Sequence, residues 1–111
     1  MIVNKFTAFA IMVASNTIIY PHISLADGFN GSDLLEWSQK NQQFYFEVSV
    51  SMAGVIAAQS QREQAQCIDE WHAGQHERQY EEILEAIRTH PTFHPQGVIF
   101  AVLRKACGAF G

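Results

Sequence analysis

The two cysteines of this chain, Cys67 and Cys107, constrain its fold more than any other pair of residues. They allow a single pairing, and a disulfide between them would close a loop of about 40 residues, which is worth roughly 4 kcal/mol of stability in the chain-entropy description. Disulfides persist in oxidising compartments and are rare in the cytosol. The prediction of a disulfide therefore depends on whether the chain is exported to an oxidising compartment.

The first residues predict export. Lys5 precedes the apolar run FTAFAIMVA, and the Ser-Leu-Ala sequence that ends at Ala26 fits a signal-peptidase cleavage site. A retained membrane anchor is the competing interpretation, but Asn16 interrupts the run and a span needs about 20 apolar residues. We predict a signal peptide over residues 1–26, a mature domain over residues 27–111, a periplasmic location and no membrane association after cleavage.

An exported chain with two cysteines is expected to carry one disulfide, between Cys67 and Cys107. The mature chain keeps about 85 residues, enough for one domain whose core alone gives a modest stability margin. The sequence is 48% hydrophobic and 16% charged, which is typical of a globular protein. Its formal net charge is -4 and its Lys and Arg residues are scattered, so we expect no nucleic-acid partner.

The segment FYFEVSVSMAGVIAAQSQ, residues 44–61, fits two patterns. Apolar residues alternate at Phe46, Val48 and Val50, as in a half-buried strand. A second set of apolar residues shares one helical face: Val48, Met52, Val55 and Ile56. Because no other strand signal is present for pairing, we predict a helix, in which small residues such as Gly54 would let a neighbouring helix approach closely.

Three further helices complete the prediction. A short helix lies within SDLLEWSQKNQQ, with Asn30 or Ser32 as its cap. Residues 75–89 have the clearest amphipathic pattern, and a last helix begins at Pro95 and ends near the second cysteine. The polar segment REQAQCIDEWHAG, residues 62–74, is predicted to be a connection. The predicted fold is all-α, a small four-helix domain stapled by one disulfide.

Four segments in order carry a family resemblance: NGSDLLEWS, FYFEVSVSMAGVIAA, CIDEWHAGQHERQYEEILEAIRTHP and FHPQGVIFAVLRKACG. They resemble the Rap/Tai family of periplasmic immunity proteins, which protect bacteria from peptidoglycan-cleaving amidase effectors delivered by type VI secretion. The matching residues are Leu34, Leu35, Gly54, Cys67, Ile68, His90, Pro91 and Cys107. The chain departs from the pattern at Ser38 and Val48, where the family often has cysteines, and at Asp69, where a proline is usual.

The resemblance implies a small helical binding protein that occludes the active site of a cognate amidase effector and that often forms a homodimer. It implies neither catalysis nor a cofactor. Trp71 is a large aromatic residue in a polar segment, so it either packs on the core or is offered to a partner. Phe93 likewise either contacts a partner or packs within the domain, where it can staple the start of the last helix. The predicted partner-binding residues are Trp71, His72, Gln75, His76 and Phe93.

Two H-x-x-x-H pairs raise the question of a zinc site. They are His72 with His76 and His90 with His94. Gly74 lies inside the first pair, and Pro91 interrupts the second, so the four rings are not expected to face one point. We predict structural or surface roles for these histidines and no metal site, with an exported metal-binding protein as a remaining alternative.

The residues also argue against an enzyme. Cys67 and His72 could form a thiolate pair, but a disulfide to Cys107 removes the nucleophile. A second kind of binding protein stays open: a periplasmic stress or chaperone-like protein of the same fold. It is favoured by the small acidic helical body and by histidines that become charged near a pH of about 6.

Overall fold

The computed structural model describes residues 28–110, and within this range every regular element is a helix. The helices are α1 (Gly31–Leu35), α2 (Gln39–Ala58), α3 (Arg62–Ala73), α4 (Gln75–Arg78), α5 (Glu81–Thr89) and α6 (Pro95–Cys107). Within residues 28–110 the all-α class is confirmed, but six helices are present where four were predicted. The predicted signal peptide lies outside the described residues.

The first reason for the higher count is α3. Residues 62–74 were predicted to be a connection, and this prediction was wrong, because Arg62–Ala73 is a helix. Its buried side chains are only Gln64, Ala65 and Ile68, so the apolar pattern is faint. The burial of Gln64 depends on distant partners: its amide nitrogen donates to the carbonyl oxygens of Gly108 at 2.7 Å and Ala109 at 2.8 Å.

The second reason is a break in the predicted helix over residues 75–89. Gln79 and Tyr80 both have left-handed backbone angles, with φ of 55° and 54°, and they separate α4 from α5. Left-handed angles are strained for residues with a Cβ. The break turns the Tyr80 ring into the core, where its centroid lies 5.6 Å from that of Phe46. The predicted buried pattern survives the break, because Tyr80, Ile83, Leu84 and Ile87 are all buried.

Helix α2 forms the centre of the domain, so the predicted helix at residues 44–61 is confirmed in type. Its core face carries Phe46 and Val50 together with several small residues. A Cβ added to Gly54 would lie 3.3 Å from Asp69 Oδ1 and 3.7 Å from Ile68 Cγ2, so α3 packs closely at this point, as predicted. The second apolar set of α2 faces outward, and Val48, Met52, Val55 and Ile56 are exposed.

Helix α1 closes the domain against the turn between α5 and α6. Asn30 caps the helix, and its side chain and that of Asp33 form a reciprocal capping box. The Gly31 N–H donates to the Phe93 carbonyl oxygen at 2.9 Å. A Cβ at Gly31 would lie 2.9 Å from Ile87 Cγ2 and 3.2 Å from the Pro91 backbone, so this position leaves no room for a side chain.

The predicted disulfide is present. Cys67 in α3 and Cys107 at the end of α6 are bonded, with their Cα atoms 5.7 Å apart. Pro95 lies in the first turn of α6, as predicted, and the His94 side chain caps that helix by accepting the Gln96 N–H at 3.0 Å. The bridge and the Gln64 contacts together fasten the end of the chain to α3.

None of the helices within residues 28–110 is long and apolar enough to cross a bilayer.

Candidate functional site

The outward side of α2 is an exposed apolar surface, which we call the apolar face. It consists of Phe44, Val48, Met52, Val55 and Ile56 of α2, together with Trp37, which precedes the helix. Their exposed fractions run from 39% for Trp37 to 66% for Phe44. Residues spaced by four along a helix stack on one side of it, so residues 44–56 make a strip about 18 Å long. Apolar strips of this kind on a protein surface mark sites of interaction.

An aromatic cluster supports the N-terminal end of the apolar face. The Phe29 ring stacks on Trp37 at a centroid distance of 5.3 Å, and Tyr45 packs edge-on against Trp37 at 5.6 Å. The Gln96 amide nitrogen donates to Tyr45 Oη at 2.9 Å and to Ser49 Oγ at 2.7 Å. Burial raises the pKa of Tyr45, and the Gln96 hydrogen bond opposes that shift. The Phe29 and Tyr45 contacts support the exposed Trp37 ring.

A groove of about 820 Å³ lies next to the apolar face and shares Phe44 with it. We call it the histidine groove. It is bounded by α2, α3, α4 and the left-handed turn. Its lining is Lys40, Gln43, Phe44, Glu47, Asp69, His72, Ala73, Gln75, His76, Gln79 and Tyr80. The Gln43 amide nitrogen donates to the Gln79 carbonyl oxygen at 3.1 Å, which ties the strained turn to α2. Because Phe44 lines the groove, the groove and the apolar face form one continuous surface.

A hydrogen bond between His72 and Tyr80 organises the groove. His72 Nε2 and Tyr80 Oη are 2.7 Å apart. Burial lowers the pKa of His72, against the opposing charges of Glu47 and Asp69. Burial also raises the pKa of Tyr80, and Glu47 adds to that shift. Near neutral pH the bond therefore joins an uncharged imidazole to an uncharged phenol.

The five predicted partner-binding residues lie in three places. His72, Gln75 and His76 line the histidine groove, as helical spacing favours. Trp71 is partly buried and packs against the core, which was its alternative role. Phe93 is 58% exposed and lies between α5 and α6, with its ring 5.3 Å from that of His90. Binding by any of the five stays a prediction.

Sequence reasoning missed the apolar face as a candidate site. The signal was present, because α2 carries apolar residues on two sides while one side suffices for a core. The outward set was used only as evidence for a helix. Phe44, the most exposed large apolar residue of the described chain, was not singled out at all.

The histidine pairs do not form a metal centre in the part of the chain that the structure describes. No group of three or more His, Cys, Asp or Glu side chains within residues 28–110 is placed to hold a metal ion. The second pair is divided between two helix ends: His90 terminates α5 and His94 caps α6. His72 of the first pair is hydrogen-bonded to the Tyr80 hydroxyl group instead.

Comparison with known proteins identifies no relative. No family model matches the chain, and neither a curated protein nor a solved structure does. The fold and the surface define a class by themselves: a disulfide-bonded all-α domain that exposes an apolar helix face beside a polar groove.

Proposed function

We propose that this protein is a periplasmic immunity protein of the Rap/Tai type, which binds a peptidoglycan amidase effector of type VI secretion and blocks its active site sterically. The observation that carries the proposal is the apolar face of α2. Burying a Val, Met or Phe side chain completely is worth about 1.5–3 kcal/mol. A strip of half-exposed side chains therefore leaves a large part of this energy for a partner. No residue has a catalytic role in this proposal.

The continuity of the surface supports a protein partner. Phe44 joins the apolar face to the histidine groove, where three of the predicted contact residues lie. Interfaces combine an apolar centre, which supplies most of the affinity, with a polar rim that supplies specificity. In this assignment the apolar face is the centre and the groove is part of the rim.

The departures from the family pattern are compatible with the fold. Ser38, which stands where the family often has a cysteine, caps α2 by accepting the Asn41 N–H at 3.2 Å. Val48, at the second such position, belongs to the apolar face. Asp69 lies inside α3, where the usual proline would remove a helical hydrogen bond. Each position therefore has a role in this chain that does not require the family residue.

The decisive experiment is capture of the products of neighbouring genes by the oxidised protein, followed by an amidase assay on the captured protein. The matched variants are Val48→Lys with Met52→Lys on the apolar face, and Ala101→Lys on an exposed position of α6. We expect the wild type and Ala101→Lys to capture and inhibit an amidase, and the double variant to lose at least 100-fold in affinity. No captured amidase would refute the proposal.

The same variants test a second copy of the chain as the occupant of the apolar face. If light scattering shows a wild-type dimer that the double variant converts to a monomer with inhibition intact, the apolar face serves self-association. The effector would then bind elsewhere.

A stress or chaperone-like role is the second candidate, since an exposed apolar face also suits unfolded clients. It predicts that the protein prevents aggregation of an acid-denatured client at pH 5, and that the Val48→Lys, Met52→Lys variant does not. Client protection without capture of an amidase would favour this role, and no protection at low pH would remove it.

A further inference from the structure

We infer that the histidine groove receives a basic side chain, an arginine guanidinium above all, from the protein that docks on this surface. The inference rests on the proposed function for the nature of the partner. It goes beyond that function in naming the chemistry that the groove selects.

The first observation is an unsatisfied acceptor. Gln75 lines the groove and is only 3% exposed. Its amide nitrogen donates to the Trp71 carbonyl oxygen at 3.2 Å, which fixes the orientation of the amide. Its Oε1 is buried and has no hydrogen-bond partner among the described residues. Folded proteins rarely leave a buried acceptor unpaired. Within the described residues Gln64 Oε1 and Gln75 Oε1 are both in this state, and of the two only Gln75 lines a groove, where a donor that arrives with a ligand could pair with it.

The second observation is the charge of the lining. The carboxylates of Glu47 and Asp69 line the same groove, and within residues 28–110 neither belongs to an ion pair. Lys40 supplies one opposing charge. Burial lowers the pKa of His72, so this ring does not repel a cation near neutral pH. Within residues 28–110 the lining of the groove therefore includes two carboxylates outside any ion pair and a residue with an unpaired amide oxygen.

The third observation is aromatic. Phe44 and Tyr80 line the groove, and Phe44 is the more exposed of the two. A guanidinium group stacks on aromatic rings and presents five N–H donors in one plane, so a single arginine can serve several acceptors at once. A lysine ammonium is more strongly hydrated and has three donors at one point. Arginine thus fits the groove better than lysine.

The test is a titration of the oxidised, ¹⁵N-labelled protein at low ionic strength with three capped tripeptides. These are acetyl-Gly-Arg-Gly-amide, the same peptide with lysine, and the same peptide with citrulline, which has the shape of arginine without its charge. We expect saturable shifts at Glu47, Asp69 and the Gln75 side-chain amide with the arginine peptide. Binding of the lysine peptide should be weaker, and that of the citrulline peptide at least tenfold weaker.

Variants locate the site. Glu47→Gln and Asp69→Asn should each weaken binding of the arginine peptide by fivefold or more. Glu82→Gln, which changes an exposed carboxylate on α5 outside the groove, should leave it unchanged. Absence of saturable shifts, equal binding of citrulline, or an equal effect of Glu82→Gln would overturn the inference. Because the peptides replace the effector, this result is independent of whether an amidase is captured.

Discussion

Removal of the disulfide should bring this domain close to the limit of stability. The double variant Cys67→Ser, Cys107→Ser opens a loop with a sequence separation of 40 residues. The chain-entropy relation assigns such a loop about 4 kcal/mol at 25 °C. The Cα separation of 5.7 Å lies within the usual range for a disulfide.

The size of the domain makes that loss severe. A helical domain of the size of the described range, residues 28–110, has a free energy of unfolding of about 4–12 kcal/mol. Loss of about 4 kcal/mol corresponds to a fall in Tm of roughly 15–30 °C for a domain of this size. The measurement is urea unfolding followed by far-ultraviolet circular dichroism, on the double variant and on the wild type with and without reductant.

Reduced wild type and double variant should agree, and both should show a steeper dependence on urea, because the unfolded chain without the bridge is more expanded. A loss below about 1 kcal/mol would contradict the reasoning. It would mean that the Gln64 contacts to Gly108 and Ala109 hold the end of the chain without help. Hydrogen exchange would then show protected amides in α6 of the reduced protein.

Three further predictions concern single side chains. Gly31→Ala should lower the free energy of unfolding, measured by thermal unfolding, by about 1–3 kcal/mol, because the added methyl group meets atoms at 2.9–3.2 Å. Gly97→Ala in α6 is the control: its methyl group meets nothing within 4 Å, so it should raise the free energy of unfolding by up to about 1 kcal/mol. Tyr80→Phe removes the hydrogen bond to His72 and should cost about 1 kcal/mol, and an unchanged unfolding midpoint would show that the bond contributes nothing. The lowered pKa of His72 means that the unfolded chain binds a proton more readily than the folded one, so stability should fall as the pH drops below about 6.5. His72→Gln should flatten that slope, and a His72 resonance that titrates above its ordinary range would contradict the sign.

The parts of the fold that sequence reasoning predicted depend on strong local patterns. Two of these patterns are local: the amphipathic repeat around Ile83 and Ile87, and the proline at the start of α6. The third is the cysteine pair, which allows only one disulfide. The missed helix α3 lacks such a pattern. The amide nitrogen of its buried Gln64 donates to carbonyl groups more than 40 residues away, and no local preference reveals those partners.

The break before α5 could not be predicted for a similar reason. Gln79 and Tyr80 have no local preference for left-handed angles, and the strain is balanced by burial of the Tyr80 ring and by the Gln43 hydrogen bond. The orientation of α2 was ambiguous because both of its sides are apolar. The side of α2 that faces the core is the one with small residues near Gly54, since they let α3 pack closely there.

The prediction of the site was limited because the position of a side chain depends on how the helices pack. His72, Gln75 and His76 line one groove because α3 runs almost directly into α4 and keeps their helical spacing, while Gln75 is buried and binding by the three stays a prediction. Trp71 was grouped with them as a neighbour in sequence that would contribute if exposed, and Phe93 was added as a second large aromatic residue. The positions of both depend on how the helices pack. The unpaired oxygen of Gln75 is visible only in three dimensions.

The bridge between Cys67 and Cys107 also sets how the domain carries a mechanical load. A pull on the C-terminus passes through the sulfur atoms into α3, so α4, α5 and α6 lie inside a closed covalent ring and bear none of the tension. The ring withholds 40 residues from extension, which is about 140 Å of contour length at the reach of an extended chain. Under force, the oxidised protein yields mainly through α1, α2 and the start of α3, and reduction releases the remaining length.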